Sequence, residues 1–219
     1  MRFRLYCAGH CQRVACSVNQ SERATLKEHV TTCAYDRLFV ITGGPGSGKS
    51  TLVDALGGRG FARTAEAGRA IIRDQMRVGG HALPWHDPLT FAELMLSWEL
   101  RSYRWAQRQN RTVVFDRGIP DVIGYLRVMN CPVPEHMNNA ARLFRYNRQV
   151  FIAPHWPEIF GQDAERRQTP DEAARTHDAM VETYSAYDYE LVPLPIAPIE
   201  DRVRFIMDRV AAFMSARTR

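Results

Sequence analysis

The chain has no apolar run near the ~18 residues of a membrane-spanning helix, so no such helix is expected. Blocks of about five or six like charges are absent, as is any RNA-binding signature. The net charge of +5 is therefore a mild excess that suits an anionic ligand and gives no ground to expect nucleic acid as a partner. Cysteine is scarce and odd in number: Cys7, Cys11, Cys16, Cys33 and Cys131. No disulfide framework reads from that set, so a reducing, cytoplasmic compartment is expected. The start, Met1-Arg2-Phe3-Arg4-Leu5, carries charge but no apolar stretch behind it, and no secretory signal is expected. There is no internal repeat and no low-complexity tract.

What the chain does have is enough apolar material for a core. With 219 residues, 45% of them hydrophobic, it suits one α/β domain. Residues 1–35 differ from the rest, being polar, cysteine-rich and weakly periodic. Cys7-x3-Cys11 followed by His29-x3-Cys33 has a spacing tolerable for zinc, with His10 and Cys16 as spare ligands. The plainer reading is a leader that contributes little to the core. Two segments are expected, a leader over 1–35 and a phosphate-binding domain over 36–219.

The domain opens on Phe39-Val40-Ile41-Thr42-Gly43-Gly44-Pro45-Gly46-Ser47-Gly48-Lys49-Ser50-Thr51. An apolar run enters a glycine-rich loop, and the loop opens into Leu52-Val53-Asp54-Ala55-Leu56. Gly43, Gly48, Lys49 and Ser50 satisfy the phosphate-loop pattern in the strand–loop–helix setting it requires. Glycines let backbone N–H groups crowd around phosphate oxygens where a Cβ would clash. The helix N-terminus adds about half a positive charge. Lys49 is placed to meet β- and γ-phosphates, and the Ser50 hydroxyl to ligate Mg²⁺. The whole loop, Gly43, Gly44, Pro45, Gly46, Ser47, Gly48, Lys49, Ser50 and Thr51, is the expected ATP site.

Strands alternate with helices thereafter. Strands are expected near 37–42, 61–65, 111–115, 149–153 and 189–193. Helices are expected near 49–57, 66–78, 87–108, from Pro120, over 136–146, from Thr169-Pro170-Asp171-Glu172, and over Ile199 to Phe213. Phe91, Leu94, Met95, Trp98 and Trp105 form an apolar stripe that reads as core rather than as a ligand platform. The pattern predicts a three-layer sandwich, a five-stranded parallel sheet with helices on both faces, joined by right-handed crossovers. Ligands of such sheets bind at the carboxyl ends of the strands.

Three charged clusters fall at that edge. Asp116 follows a buried strand at once, where a carboxylate can hold the hydration shell of Mg²⁺; the alternative is a cap for the helix at Pro120. Glu66 ends the second strand and is the candidate general base toward an acceptor hydroxyl, or else a charge match for a helix N-terminus. Arg166 and Arg167 stand in a long loop that can close over ATP, or are two solvated arginines. Arg148, at the edge of strand four, is a weaker candidate for the same task.

The run Phe39 to Thr51, the element Glu66-Ala67-Gly68-Arg69 with Ile71-Ile72, and Phe115-Asp116-Arg117-Gly118 resemble a group of small P-loop proteins classed as AAA-type ATPases. That group is similar in build to nucleoside and nucleotide kinases, including the ribosylnicotinamide kinase module. The resemblance covers about residues 36–215. It implies a P-loop NTPase fold, ATP on Gly43 to Thr51, and an acid–arginine pair in Asp116-Arg117. It further implies a base in Glu66, an arginine-bearing lid over 155–169, and Pro195 to Ile199 beside the adenine. Gly118 departs from the serine, histidine or aromatic residue usual in those kinases. Asp116 is followed by Arg117 rather than the second acid of an AAA+ motor, and no Asn-Lys-x-Asp run is present to read guanine.

The expectation is an enzyme, a Mg²⁺-dependent kinase that moves the γ-phosphoryl group of ATP to a small-molecule acceptor such as a nucleoside, nucleotide or related metabolite. Two alternatives stand beside it, a regulatory ATPase acting on a protein partner and a zinc-bearing nucleic-acid adaptor built on residues 1–35. A homodimer is an open expectation. A deep acceptor pocket lined by the 81–105 segment would favour the kinase.

Overall fold

The computed structural model describes residues 35–159 and 169–217. The zinc-spaced cysteines and histidines of the leader, and Arg166 and Arg167, lie outside the described residues. Five strands form one sheet in the order β2-β3-β1-β4-β5: β1 (Leu38–Gly43), β2 (Ala62–Arg63), β3 (Val113–Asp116), β4 (Gln149–Ala153) and β5 (Glu190–Pro193). Every pairing is parallel. The helices are α1 (Lys49–Gly57), α2 (Ala67–Val78), α3 (Pro88–Gln107), α4 (Ile119–Val128), α5 (Glu135–Leu143), α6 (Pro170–Ala186) and α7 (Ile199–Ala216).

Strand side chains alternate between two faces, and both faces are covered, so the strands read as unbroken apolar runs. Leu38, Val40, Val113, Phe115, Val150 and Ile152 join the cluster on which α2 to α6 pack. Phe39, Ile41, Val114, Phe151 and Val192 face the other way, toward α1 and α7. The register pairs Ile41 with Asp116 and Gly43 with Ala153. The carboxyl ends of β1, β3 and β4 are thereby level, which gathers the phosphate loop, Asp116 and the start of the 154–169 segment on one edge. No helix among the described residues is long and apolar enough to cross a membrane.

Several boundaries differ from expectation for reasons of packing. Helix α5 stops at Leu143, because Phe144 leaves helical geometry (φ −100°, ψ 82°). Tyr146 is thereby turned inward, and its hydroxyl accepts from the Ile119 N–H at 3.2 Å. Strand β5 starts at Glu190, since Tyr189 turns into the core and its hydroxyl accepts from the Tyr146 N–H. Of the α3 stripe, Phe91 and Met95 are buried, Leu94 and Trp98 are half-buried, and Trp105 is exposed.

The capping box ahead of α6 is present in both directions. The Thr169 hydroxyl accepts from the Glu172 N–H at 3.2 Å, and the Thr169 N–H donates to Glu172 Oε2 at 2.7 Å. Thr169→Ala is expected to destabilise the fold by about 1 kcal/mol, or roughly 2–4 °C in thermal midpoint for a domain of this size. A circular-dichroism melt of the two proteins checks it.

Candidate functional site

Glycine is needed at Gly43, where φ is +130° and a Cβ would lie 2.5 Å from the Ala153 carbonyl oxygen. Gly48 takes φ +75° as the N-cap of α1 and spends no side chain on the helix, so the first-turn amides stay open to a ligand. Lys49 is 5% exposed. Its ammonium donates to the Gly44 carbonyl and, at 3.1 Å, to the Ser47 hydroxyl. Burial, helped by the nearby Arg117 charge, lowers its pKa to about 7.

Asp116 ends β3 and is buried. The Ser50 hydroxyl hydrogen-bonds to it, while its Oδ1 has no partner. Burial, with the Glu66 charge adding to it, raises its pKa to about 6. Asp116 and Ser50 thus set a carboxylate beside a hydroxyl, with one carboxylate oxygen unused.

Arg117 has a left-handed backbone, φ 75°, which is uncommon for a residue with a side chain. That turn carries its guanidinium back over the sheet edge. Nε donates to Glu66 Oε1 at 3.2 Å, and one Nη donates to the Gly43 carbonyl and to Asp121 Oδ1, both at 3.0 Å. Backbone strain of this kind concentrates at working sites.

Glu66 is the N-cap residue of α2, yet its side chain makes no capping hydrogen bond. It pairs instead with Arg117 and, at 3.3 Å, with Arg69. Burial pushes its carboxyl up, but the charges of Arg117, Lys49 and Arg69 outweigh that and hold it below the usual carboxylate range. Glu66, Asp116, Arg117 and Lys49 are therefore brought together as expected. Arg148 is not: it is exposed and precedes β4, at the end of the sheet away from the phosphate loop.

Asp121, on the first turn of α4, was invisible to motif reasoning. Its Oδ1 accepts from the Thr42 hydroxyl (2.6 Å) and Arg117; its Oδ2 accepts from the Gly118 N–H (2.9 Å) and the Tyr184 hydroxyl (2.6 Å). The unusual Gly118 has a packing reason: a Cβ there would lie 3.1 Å from the Tyr146 ring and 3.2 Å from the Tyr184 hydroxyl. Glu99 and Arg202 were missed as well, and both are buried. Arg202 donates to the Ser47 carbonyl at 3.1 Å and lies 5.9 Å from the Trp156 ring. The signal for Glu99 was present in the spacing Phe91, Met95, Glu99, Tyr103, one carboxyl in a four-residue repeat of core positions.

One cavity of about 750 Å³ among the described residues is lined by Lys49, Glu66, Glu99, Arg117, Asp121 and Arg202. Its lining includes the phosphate loop, Arg202, and Pro198 with Ile199. It also includes Glu66, Arg69, Arg117 and an apolar wall with Ile72, Pro84, Phe91, Met95 and Tyr125. Phe91 and Met95 belong both to the core and to this wall.

The family profile described as an AAA domain matches residues 38–202. Among curated proteins no match is found. Among solved structures, deoxyadenosine kinase from M. mycoides with products dCMP and a flexible dCDP bound is similar at 16% identity and TM-score 0.57. It covers 80% of this chain and 99% of that one. The same enzyme with bound dATP is similar at 15% identity and TM-score 0.57, with the same coverage. At such identity the likeness speaks for the fold alone, a five-stranded parallel sheet with helices on both faces.

Proposed function

Since this chain belongs to the family of AAA domains, we propose that it is an ATP-dependent phosphotransferase whose acceptor is a nucleoside, a nucleotide or a related small metabolite. The observation that carries the reading is one cavity lined by both the phosphate loop and an apolar wall. We read the loop as the donor part and the wall as the acceptor part, whereas a regulatory switch needs only the first. The second part is lined by the 81–105 segment through Pro84, Phe91, Met95 and Glu99. ATP is favoured as donor, as no guanine-reading run is present.

In the proposed reaction the acceptor hydroxyl takes the γ-phosphoryl group, giving a phosphate ester and ADP. Gly43 to Thr51 bind the triphosphate through backbone amides, and Lys49 leaves Gly44 and Ser47 to pair with it. Ser50 and Asp116 fit a hard divalent cation, two oxygen donors of which Asp116 Oδ1 has no partner. Ser50 and Asp116 would hold Mg²⁺ there, and its charge would neutralise that of the phosphates. Arg117, fixed by Glu66, Asp121 and Gly43, presents a guanidinium at the junction of the two parts. Glu66 orients the acceptor hydroxyl and takes its proton. A carboxylate held below its usual range is a weak base, which suits a loose transition state that does not demand early proton removal.

Glu66→Gln should lower turnover by roughly 10²–10⁴, the range for a lost positioned base, while ATP affinity changes little. Phosphorylation of a metabolite mixture with labelled ATP, read by mass spectrometry, identifies the acceptor and then measures this ratio. Transfer to no metabolite with slow hydrolysis intact would favour the regulatory ATPase instead.

A further inference from the structure

The mechanism above leaves one buried carboxyl of the cavity wall unused. Glu99 is 2% exposed and lines the acceptor part of the cavity. Its Oε2 has no hydrogen-bond partner, and neither carboxyl oxygen takes part in a hydrogen bond or ion pair among the described residues. The contrast with Asp121 is sharp in chemical terms: that carboxylate, also buried, is met by four donors. Native proteins rarely leave a buried carboxyl without a partner, since doing so costs stability that an apolar residue would recover. The position makes the choice more telling, because Glu99 occupies the register of Phe91, Met95 and Tyr103, where an apolar side chain would fit the core without cost.

Resting on the kinase reading, we propose that Glu99 is the residue that reads the acceptor: its carboxyl hydrogen-bonds a polar edge on a planar, apolar-faced molecule, as a neutral nucleobase is. The groups facing it are Asp121, Asp116, Glu66 and Arg117 around the sheet edge and Tyr146 behind it. Burial first, then the Asp121 and Asp116 charges, push the Glu99 carboxyl well above its ordinary range, in the direction that favours the protonated form. A protonated carboxyl offers an O–H donor next to a C=O acceptor. That pair matches the adjacent acceptor and donor of an amide-like or amidine-like ring edge. The rest of the wall is apolar and aromatic, with Phe91 and Tyr125 meeting edge to face at 5.3 Å between centroids. A ring is gripped by such a wall, while a sugar or an amino acid would leave its polar groups unpaired there. A site built on one hydrogen-bonding group against an apolar wall discriminates strongly against analogues that lack the complementary group.

The test uses the full chain as wild type and as two variants of one position, Glu99→Met and Glu99→Gln. The probes are the ribo- and deoxyribonucleosides of adenine, guanine, cytosine and uracil, with nicotinamide riboside as the cationic member, each with Mg-ATP. Wild type is expected to phosphorylate at least one neutral nucleoside. Glu99→Met should raise the KM for that nucleoside at least tenfold with kcat within about twofold, and the thermal midpoint of the ligand-free variant should rise. Glu99→Gln, which also offers a donor beside an acceptor oxygen, should recover most of the lost affinity. The midpoint shift produced by ATP alone should be the same in all three. An unchanged nucleoside KM in Glu99→Met overturns the assignment, as does a fall in its ligand-free midpoint, which would mark a structural residue. Equal losses in Glu99→Gln and Glu99→Met, or use of nicotinamide riboside alone, would assign a charge rather than a proton and overturn it too. If wild type uses no nucleoside but phosphorylates another metabolite, this inference fails and the kinase reading stands; if it phosphorylates nothing, both fail.

Discussion

Lys49→Ala is expected to remove phosphoryl transfer while leaving the fold intact. The ammonium is one of the few groups on the cavity wall that can follow the γ-phosphoryl group as charge shifts during transfer, and losing a single preorganised donor of this kind typically costs about 10²–10³ in kcat. The fold does not depend on it. The loop is shaped by its glycines at φ +130°, +78° and +75°, and by the Ser47 hydroxyl donating to the Gly44 carbonyl at 2.8 Å. Lys49 is also a buried cation without a carboxylate in hydrogen-bond contact, so its removal relieves desolvation rather than breaking an ion pair. Turnover with labelled ATP and a thermal melt of the same preparation check both halves. Turnover equal to that of wild type would detach the phosphate loop from the chemistry.

The largest effect on stability is expected at Asp121. Asp121→Ala strands the Thr42 and Tyr184 hydroxyls, the Gly118 N–H and one Nη of Arg117, all of which now converge on a side chain only 5% exposed. Removing one member of a buried charged network costs about 3–5 kcal/mol, a fall in melting temperature on the order of 10 °C for a domain of this length. Because Tyr184 is in the same network, Tyr184→Phe added to Asp121→Ala should cost much less than its own separate effect. Thermal or urea melts of the two single variants and the double variant measure this. Strict additivity would mean that the hydrogen bonds seen at Asp121 do not act as a unit.

Why Asp121 escaped sequence reading, when Glu66 and Asp116 did not, is instructive. Glu66 and Asp116 stand at the carboxyl ends of strands, and a phosphate loop already tells where such ends must meet. Asp121 is one acid on an ordinary helix turn, and nothing in its neighbours announces that β1, α4 and α6 will bring Thr42, Arg117 and Tyr184 to it. Strands and helices were legible because their apolar residues recur with period two or lie in unbroken runs, and because Asp87-Pro88 and Thr169-Pro170 announce helix starts that the structure bears out. Ends were misjudged where aromatic residues decide them. Tyr146 and Tyr189 look like helix and strand residues by composition, but their hydroxyls are drawn to partners far along the chain, and the backbone turns to deliver them. The left-handed Arg117 was equally out of reach, since only the tertiary pull of Glu66, Gly43 and Asp121 selects that conformation.

The grip of Lys49 on its own loop has a further consequence for life in a medium rich in small anions. A lysine tethered to Gly44 and Ser47 is not on offer to every passing oxyanion, and free orthophosphate must displace both tethers to gain one contact. A polyphosphate chain makes many contacts at once and can afford the exchange. Those two tethers therefore favour a ligand that makes several contacts with the loop over one that makes a single contact.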